Sequence, residues 1–193
     1  MRFWDVVAPV YDLQLKIERP AIETALDLAE PRPTDRLLDV ATGSGAVLRA
    51  LARRFPRPDE AIGVDASSGM LARVPALPEG WRVVRGDARA LPFPNERFDL
   101  ATCVYLLHLL DLRARRRVLV EIHRVLAPGG RLVTVTPVAP PTTFGAVLRR
   151  IAGRYLLDPR ADLECAGLTV PAARYVRAGY PSLCVLSESN AVR

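Results

Sequence analysis

The sequence predicts a doubly wound α/β fold: a mostly parallel, seven-stranded sheet that ends in an antiparallel hairpin. Three observations predict it. Short β-branched runs alternate with longer stretches of helical periodicity between residues 37 and 136, and crossover helices join parallel neighbours. The most apolar run, residues 100–106 (LATCVYL), reads as a strand covered on both faces. Near the end, the runs 170–177 and 183–187 flank Gly179-Tyr180-Pro181, a connection short enough for a hairpin on the sheet edge.

The elements follow in order. Residues 37–41 (LLDVA) read as the first strand, and residues 45–54 as a helix with Val47, Leu48 and Leu51 on one face. Residues 61–65 (AIGVD) form the second strand, followed by a short helix at 67–73, and residues 81–85 (WRVVR) form the third. The fourth is 100–106. Val118, Leu119, Ile122, Val125 and Leu126 repeat at helical spacing, and Pro128-Gly129-Gly130 is expected to end that helix. Residues 131–136 (RLVTVT) form the fifth strand. Beyond Pro137 a proline-rich stretch leads into an amphipathic helix at about 144–157 and a short helix at 160–166. With no internal repeat or low-complexity linker, a single domain over 1–193 is expected. It comprises a lid or helix at 1–30, a cofactor-binding core at 31–136, a substrate cover at 137–160 and a terminal helix and hairpin at 161–193.

Composition removes several classes. The 193 residues are 50% hydrophobic and 25% charged, which suits one globular core and excludes a disordered tail or fibrous repeat. The formal charge of +6 invites a nucleic-acid reading. Yet Lys16 is the single lysine, the arginines are scattered, and the densest runs (Arg113, Arg115–Arg117; Arg149, Arg150, Arg154) fall within helical repeats, as solvated helix faces do. Cys103, Cys165 and Cys184 are widely spaced and the chain has two histidines, so neither a disulfide framework nor a metal site is expected. Charges stand too early in MRFWDVVAPVYD for a signal peptide, and no apolar run approaches a membrane span. A soluble, cytoplasmic protein is the expectation.

Ligands of open α/β sheets bind beyond the carboxyl ends of the strands. The first end, Asp39-Val-Ala-Thr-Gly43-Ser-Gly45, has glycines where a backbone must turn tightly beside a ligand. The second carries Asp65, placed to accept from both hydroxyls of a ribose. The third carries Asp87-Ala88, a carboxylate and amide able to read an adenine edge, and the fourth runs from Cys103 to His108. A dinucleotide fingerprint would need glycine at Leu48, and the phosphate-binding lysine of a P-loop is absent. A nucleoside without pyrophosphate remains. Asp65, taken as an exposed carboxylate at a strand end, is expected to contribute little to stability in the free protein.

These residues resemble the class I S-adenosylmethionine-dependent methyltransferases, especially the compact quinone-biosynthesis (type 11) group. LLDVATGSGAVLRALA looks like the first motif, with Ala41 where a glycine often stands. AIGVDASSGMLA resembles the second, VRGDARALPFPNERFDLATCVYLLHLLD the third and fourth, EIHRVLAPGGRLVTVTP the fifth, and FWDVVAPVYD the N-terminal segment. The resemblance implies S-adenosylmethionine as cofactor and S-adenosylhomocysteine as product. Ala41, Gly43 and Gly45 would flank the methionine part, and Asp39 would anchor its ammonium. Asp65 with Ala66 would hold the ribose, Met70 would pack on the adenine, and Asp87 with the Ala88 amide would hold its amino edge. The backbone near Cys103 would meet the ammonium, and Tyr11 on a lid could touch the carboxylate.

The cofactor supplies the reactivity in methyl transfer and the protein supplies alignment and a dry pocket. A general base is needed only for a protonated nucleophile; His108 is the first candidate, against a role in the pocket wall, and Tyr105 the second. Thr102-Cys103-Val104-Tyr105 lacks the prolines of base-methylating motifs. The expected acceptor is therefore a small or lipid-like molecule methylated at O, N or C, not nucleic acid. The helix at 144–157 could make peripheral membrane contact. The alternative is a cofactor-binding regulatory or partner subunit without catalysis.

Overall fold

The computed structural model describes residues 17–139, 156–177 and 181–190. Its seven strands are β1 (Arg36–Val40), β2 (Glu60–Asp65), β3 (Trp81–Arg85), β4 (Phe98–Val104), β5 (Leu126–Pro137), β6 (Leu168–Val176) and β7 (Ser182–Ser189). They lie in the order β3-β2-β1-β4-β5-β7-β6. Pairings from β3 through β5 are parallel, and β5–β7 and β6–β7 are antiparallel. The predicted fold class is the observed one, with β7 seated between β5 and the edge strand β6.

Helix α1 covers residues 17–29 and buries Ala21, Ile22, Ala25, Leu26 and Ala29 at helical spacing. It stops where Glu30 turns left-handed (φ 46°) ahead of Pro31, the usual way out of a helix before proline. Helix α2 (Ala46–Ala52) presents Val47, Leu48 and Leu51 to the same core. Helix α3 (Ser68–Leu71) is capped by Ser67, whose side chain accepts from the Met70 amide. Helix α4 (Leu112–Val125) is capped by Asp111, whose carboxylate accepts from the Ala114 amide at 2.8 Å. Helix α5 is Arg160–Cys165. The sheet separates two apolar clusters: α1 and α2 pack on one side, α4 and α5 on the other.

Most boundaries shift by a few residues from the sequence reading, and three of the differences have a clear physical cause. First, β4 ends at Val104. Tyr105 takes a left-handed φ of 55°, its amide bonds to the Val135 carbonyl, and a one-turn 3-10 helix covers Leu107–Leu109. Second, α4 ends at Val125, three residues before Pro128-Gly129-Gly130. Leu126 is extended (φ −75°, ψ 135°), buried, and in register with Phe98, so pairing in the sheet outweighs another helical turn there. The proline and glycines therefore lie inside β5, where the β4–β5 register shifts. Third, Leu157 is not helical: its amide bonds to the Pro137 carbonyl, and its own carbonyl accepts from Thr136 Oγ1 at 2.7 Å. Leu156 is not helical either, and residues 144–155 of the expected helix lie outside the described residues.

Several arginines hold the frame together. Arg36 pairs with Asp99 through two nitrogens at 2.8 and 2.9 Å, and holds that carboxyl below its ordinary range. Arg131 on β5 reaches Asp35 at 2.5 Å and the Ala29 carbonyl at the end of α1. Arg115 meets Asp162 of α5 at 2.6 Å, mostly out of solvent. This last residue departs from the solvated face expected of its run, because α5 packs against that side of α4.

Candidate active site

Strand order reverses between β1 and β4, and there a crevice opens beyond the strand ends. A cavity of about 370 Å³ lies in it, lined by Ala41, Gly43, Asp65, Ala66, Met70, Asp87, Ala88 and Tyr105 among the residues expected at the site. The loop after β1 makes its floor. Ala41 (φ 59°), Gly43 (φ 56°) and Gly45 (φ 80°) are all left-handed. That conformation costs a residue with a Cβ about 1–2 kcal/mol, so Ala41 carries strain that a glycine would relieve. Gly45 begins α2 and does not line the cavity; a Cβ there would sit 3.0 Å from Val74.

The three expected aspartates stand at three strand ends with three different sets of partners. Asp65 accepts from the Gly43 amide at 2.9 Å with one oxygen and from the Ser67 amide at 2.8 Å with the other. It thus ties the glycine loop to the start of α3. A carboxylate offers about four acceptor positions, so two remain on the cavity side. Asp87, exposed, is gripped by the Arg89 guanidinium at 2.7 and 3.0 Å and also caps the Arg89 amide. Asp39 is wholly buried beneath the loop and outside the cavity lining, held by Thr42 at 2.6 Å and Thr102 at 2.7 Å.

Burial pushes the Asp39 carboxyl up to about 6, against the opposing pull of the two hydroxyls. Because its pKa is raised in the folded state, the native protein binds the extra proton. Asp39's own contribution to stability is therefore fully present below about pH 4, is lost as pH rises through about 6, and is flat above. Asp39→Asn should remove that slope and raise stability at pH 7 by about 1–3 kcal/mol. Melting temperatures of both proteins from pH 4 to 8 measure it; parallel profiles would contradict the assignment.

Cys103 is buried beside Asp39, and burial, with that carboxylate, pushes its thiol well above the ordinary range. Its side chain is no nucleophile. Tyr105 shares a 2.8 Å hydrogen bond with Ser182 of β7, so the terminal hairpin braces the cavity wall. His108 stands edge-on to Tyr105, ring centroids 6.2 Å apart. Burial lowers its pKa to about 4, and Nδ1 is buried with no hydrogen-bond partner among the described residues. Tyr11 lies outside the described residues.

Sequence reasoning missed Arg89, Ser67, Ser182 and the apolar trio Leu109, Leu110 and Val118 that completes the cavity. The Asp87-Ala-Arg89 spacing could have signalled the first. Ser182 had no local signal, since its role depends on where the hairpin docks.

A loop of left-handed residues at the switch point, a carboxylate with free acceptor positions beside it and a buried Met70 fit the adenosine half of a nucleoside cofactor. The fold and crevice thus define an α/β protein whose cavity beyond the strand ends has the lining expected of a nucleoside site. Comparison with known proteins narrows this. Residues 37–130 match the family described as "Methyltransferase domain". The demethylmenaquinone methyltransferase of Thermus thermophilus is 38% identical over 157 residues, 74% of this chain and 68% of that protein. The ubiquinone/menaquinone biosynthesis C-methyltransferase UbiE of Syntrophotalea carbinolica is 34% identical over 163 residues, 80% of this chain and 68% of that one. A Haloferax volcanii methyltransferase solved with the Trm112 methyltransferase activator superposes with a TM-score of 0.78. It is 18% identical, with 98% of this chain and 99% of that one covered.

The chain belongs to the S-adenosylmethionine-dependent methyltransferases, with S-adenosylmethionine as methyl donor and S-adenosylhomocysteine as product. Its similarity to relatives of quinone biosynthesis supports a small-molecule acceptor.

Proposed function

We propose that the chain methylates a ring carbon of a quinone-type, lipid-like acceptor in its hydroxyl-bearing, reduced form. The observation that carries this reading is how the cavity lining divides by element. Its charged residues, Asp65, Asp87 and Arg89, come from the loops after β2 and β3. The segment from β4 into α4 contributes Val104, Leu106, Leu109, Leu110 and Val118, with Tyr105 as its one polar side chain. An apolar ring with a hydrocarbon substituent suits that wall, and the relatives named for demethylmenaquinone and ubiquinone/menaquinone C-methylation support it. The segment 137–160 is assigned to cover the acceptor.

The bound cofactor supplies an electrophilic methyl group on a sulfonium. Asp65 would hold its ribose, Met70 and the Ala88 amide would meet its adenine, and Asp87 would take the adenine amino edge. Ala41 and Gly43 would shape the methionine end, with Gly45 and Asp39 supporting the loop from outside the cavity lining. The apolar wall excludes water and aligns the acceptor carbon. His108, neutral at physiological pH, has too little proton affinity for an efficient base, since such bases work best with pKa near the operating pH. It lies outside the cavity lining, edge-on to Tyr105, and positions that wall against the ring; the proton that the ring carbon loses on methylation leaves to solvent through the cavity mouth.

The test is turnover with S-adenosylmethionine and a reduced short-chain 1,4-naphthoquinone, the product read by mass spectrometry for one added methyl on a ring carbon. Cofactor binding without transfer to this or any extract acceptor would favour the non-catalytic subunit. In His108→Ala, acceptor KM should rise about 10-fold with kcat within a few-fold, and the pH profile should lack an inflection belonging to histidine. A fall in kcat of about 100-fold at constant KM would make it the base instead.

A further inference from the structure

We propose that the outer face of α4, from the cavity rim onward, is a docking surface for an anionic phospholipid bilayer. Three of the five exposed large apolar side chains among the described residues lie here: Leu109 at 45% exposure, Leu112 at 48% and Val120 at 56%. Arg113, Arg116, Arg117 and Val120 recur at i, i+3, i+4 and i+7, so they share one stripe of the helix. Leu112 lies on its flank, and the opposite face buries Val118, Leu119, Ile122 and Val125.

The three arginines are exposed, and none has a hydrogen bond or ion pair among the described residues. That sets them apart from their neighbours on the same helix: Arg115 is paired with Asp162 and Arg124 with Glu121. The nearby acids are already engaged. Asp111 caps the helix, Glu121 also takes the Leu91 amide, and Asp162 holds Arg115. The stripe is thus a set of uncompensated cations interleaved with exposed aliphatic side chains. This pattern fits a phosphate-bearing surface with hydrocarbon just beneath it, since arginine stems lie along apolar material while their heads stay with the phosphates.

Position gives the surface its use. Leu109 and Leu110 line the cavity, and Leu112 opens α4 immediately after the Asp111 cap. Val118 lines the cavity from the opposite face of the helix, so the link is through Leu109: a bilayer that takes up the stripe together with Leu109 would reach the cavity rim, where a lipid-like acceptor could enter. The surface differs from the 144–157 helix singled out in the sequence. Its use rests on the acceptor reading proposed above; its existence does not.

The experiment is co-sedimentation of the full chain with phosphatidylcholine vesicles, with and without phosphatidylglycerol. Binding should require the anionic lipid and weaken at high salt. Arg113→Gln/Arg116→Gln/Arg117→Gln should bind about 100-fold more weakly, at roughly five-fold per charge removed. Leu112→Ser should cause a smaller loss. Melting temperature and turnover on a water-soluble acceptor should stay at the unmodified protein's level, while KM for an acceptor embedded in anionic vesicles rises. Equal vesicle binding by the triple variant, or none by the unmodified chain, overturns the proposal. So does a shift from dimer to monomer in the variant without vesicle binding, or loss of RNA binding alone. Failure of methyl transfer to quinols, with vesicle binding still lost in the variant, sinks the acceptor reading and leaves the surface standing.

Discussion

Asp65→Ala should weaken S-adenosylhomocysteine binding by about 10- to 1,000-fold, because a carboxylate on ribose hydroxyls makes charge-assisted bonds of about 1.5–3 kcal/mol each. It should also lower the stability of the free protein. Both oxygens already accept buried backbone amides, from Gly43 and Ser67. Stranding two such donors costs about 1–3 kcal/mol each when water cannot reach them. The cavity admits some water, so a total of about 1–3 kcal/mol is expected, a fall of a few degrees in melting temperature for a chain of this size. Asp65→Asn keeps one acceptor and turns its NH2 toward the other amide, so it should cost stability as well. Calorimetric titration and thermal melts on both variants measure the two quantities. Normal affinity with lowered stability would take the ribose away from Asp65 and leave it as a clasp of the glycine loop.

Gly43→Val should lose at least 100-fold in cofactor affinity. A β-branched residue resists a φ of 56° and costs about 1–3 kcal/mol in such a conformation. Relief of that strain would move a backbone segment that lines the cavity and whose amide is bound by Asp65. Gly43→Ala separates strain from bulk: Ala41 already adopts the same conformation in this loop, so the alanine variant should fold with a cost of about 1–2 kcal/mol. Its affinity should fall less than that of the valine variant. Equal affinity in all three proteins would place the cofactor elsewhere.

Much of this was legible in the chain before any coordinates. Strand–helix alternation determined the parallel core, since a right-handed crossover leaves few arrangements for β1 to β5. The short Gly179-Tyr180-Pro181 connection determined the antiparallel end. The positions of Asp65 and Asp87 at neighbouring strand ends pointed to one crevice, since ligands of an open sheet bind beyond the strand ends, while Asp39 lies beneath it. Glycines at 43 and 45 marked a backbone that turns tightly, whereas the left-handed Ala41 came only with the structure.

What the tertiary structure alone decided are the partners each side chain meets. Asp39 and Asp65 look equivalent in sequence, yet one is sealed under Thr42 and Thr102 with its pKa pushed up to about 6, while the other clasps two amides at the cavity edge. His108 read as either base or pocket wall, and burial, which lowers its pKa to about 4, weighs against the base. The Pro128-Gly129-Gly130 stop came too late for α4 because sheet pairing of Leu126 with Phe98, a partner distant in sequence, had already claimed the chain. Ser182 bonds Tyr105 of the cavity wall through a hairpin whose docking no local pattern encodes. The physical reason is the same in each case. Periodicity and turn chemistry act over a few residues and are written locally, whereas desolvation and hydrogen-bond partnership are set by groups that meet only after the sheet has assembled.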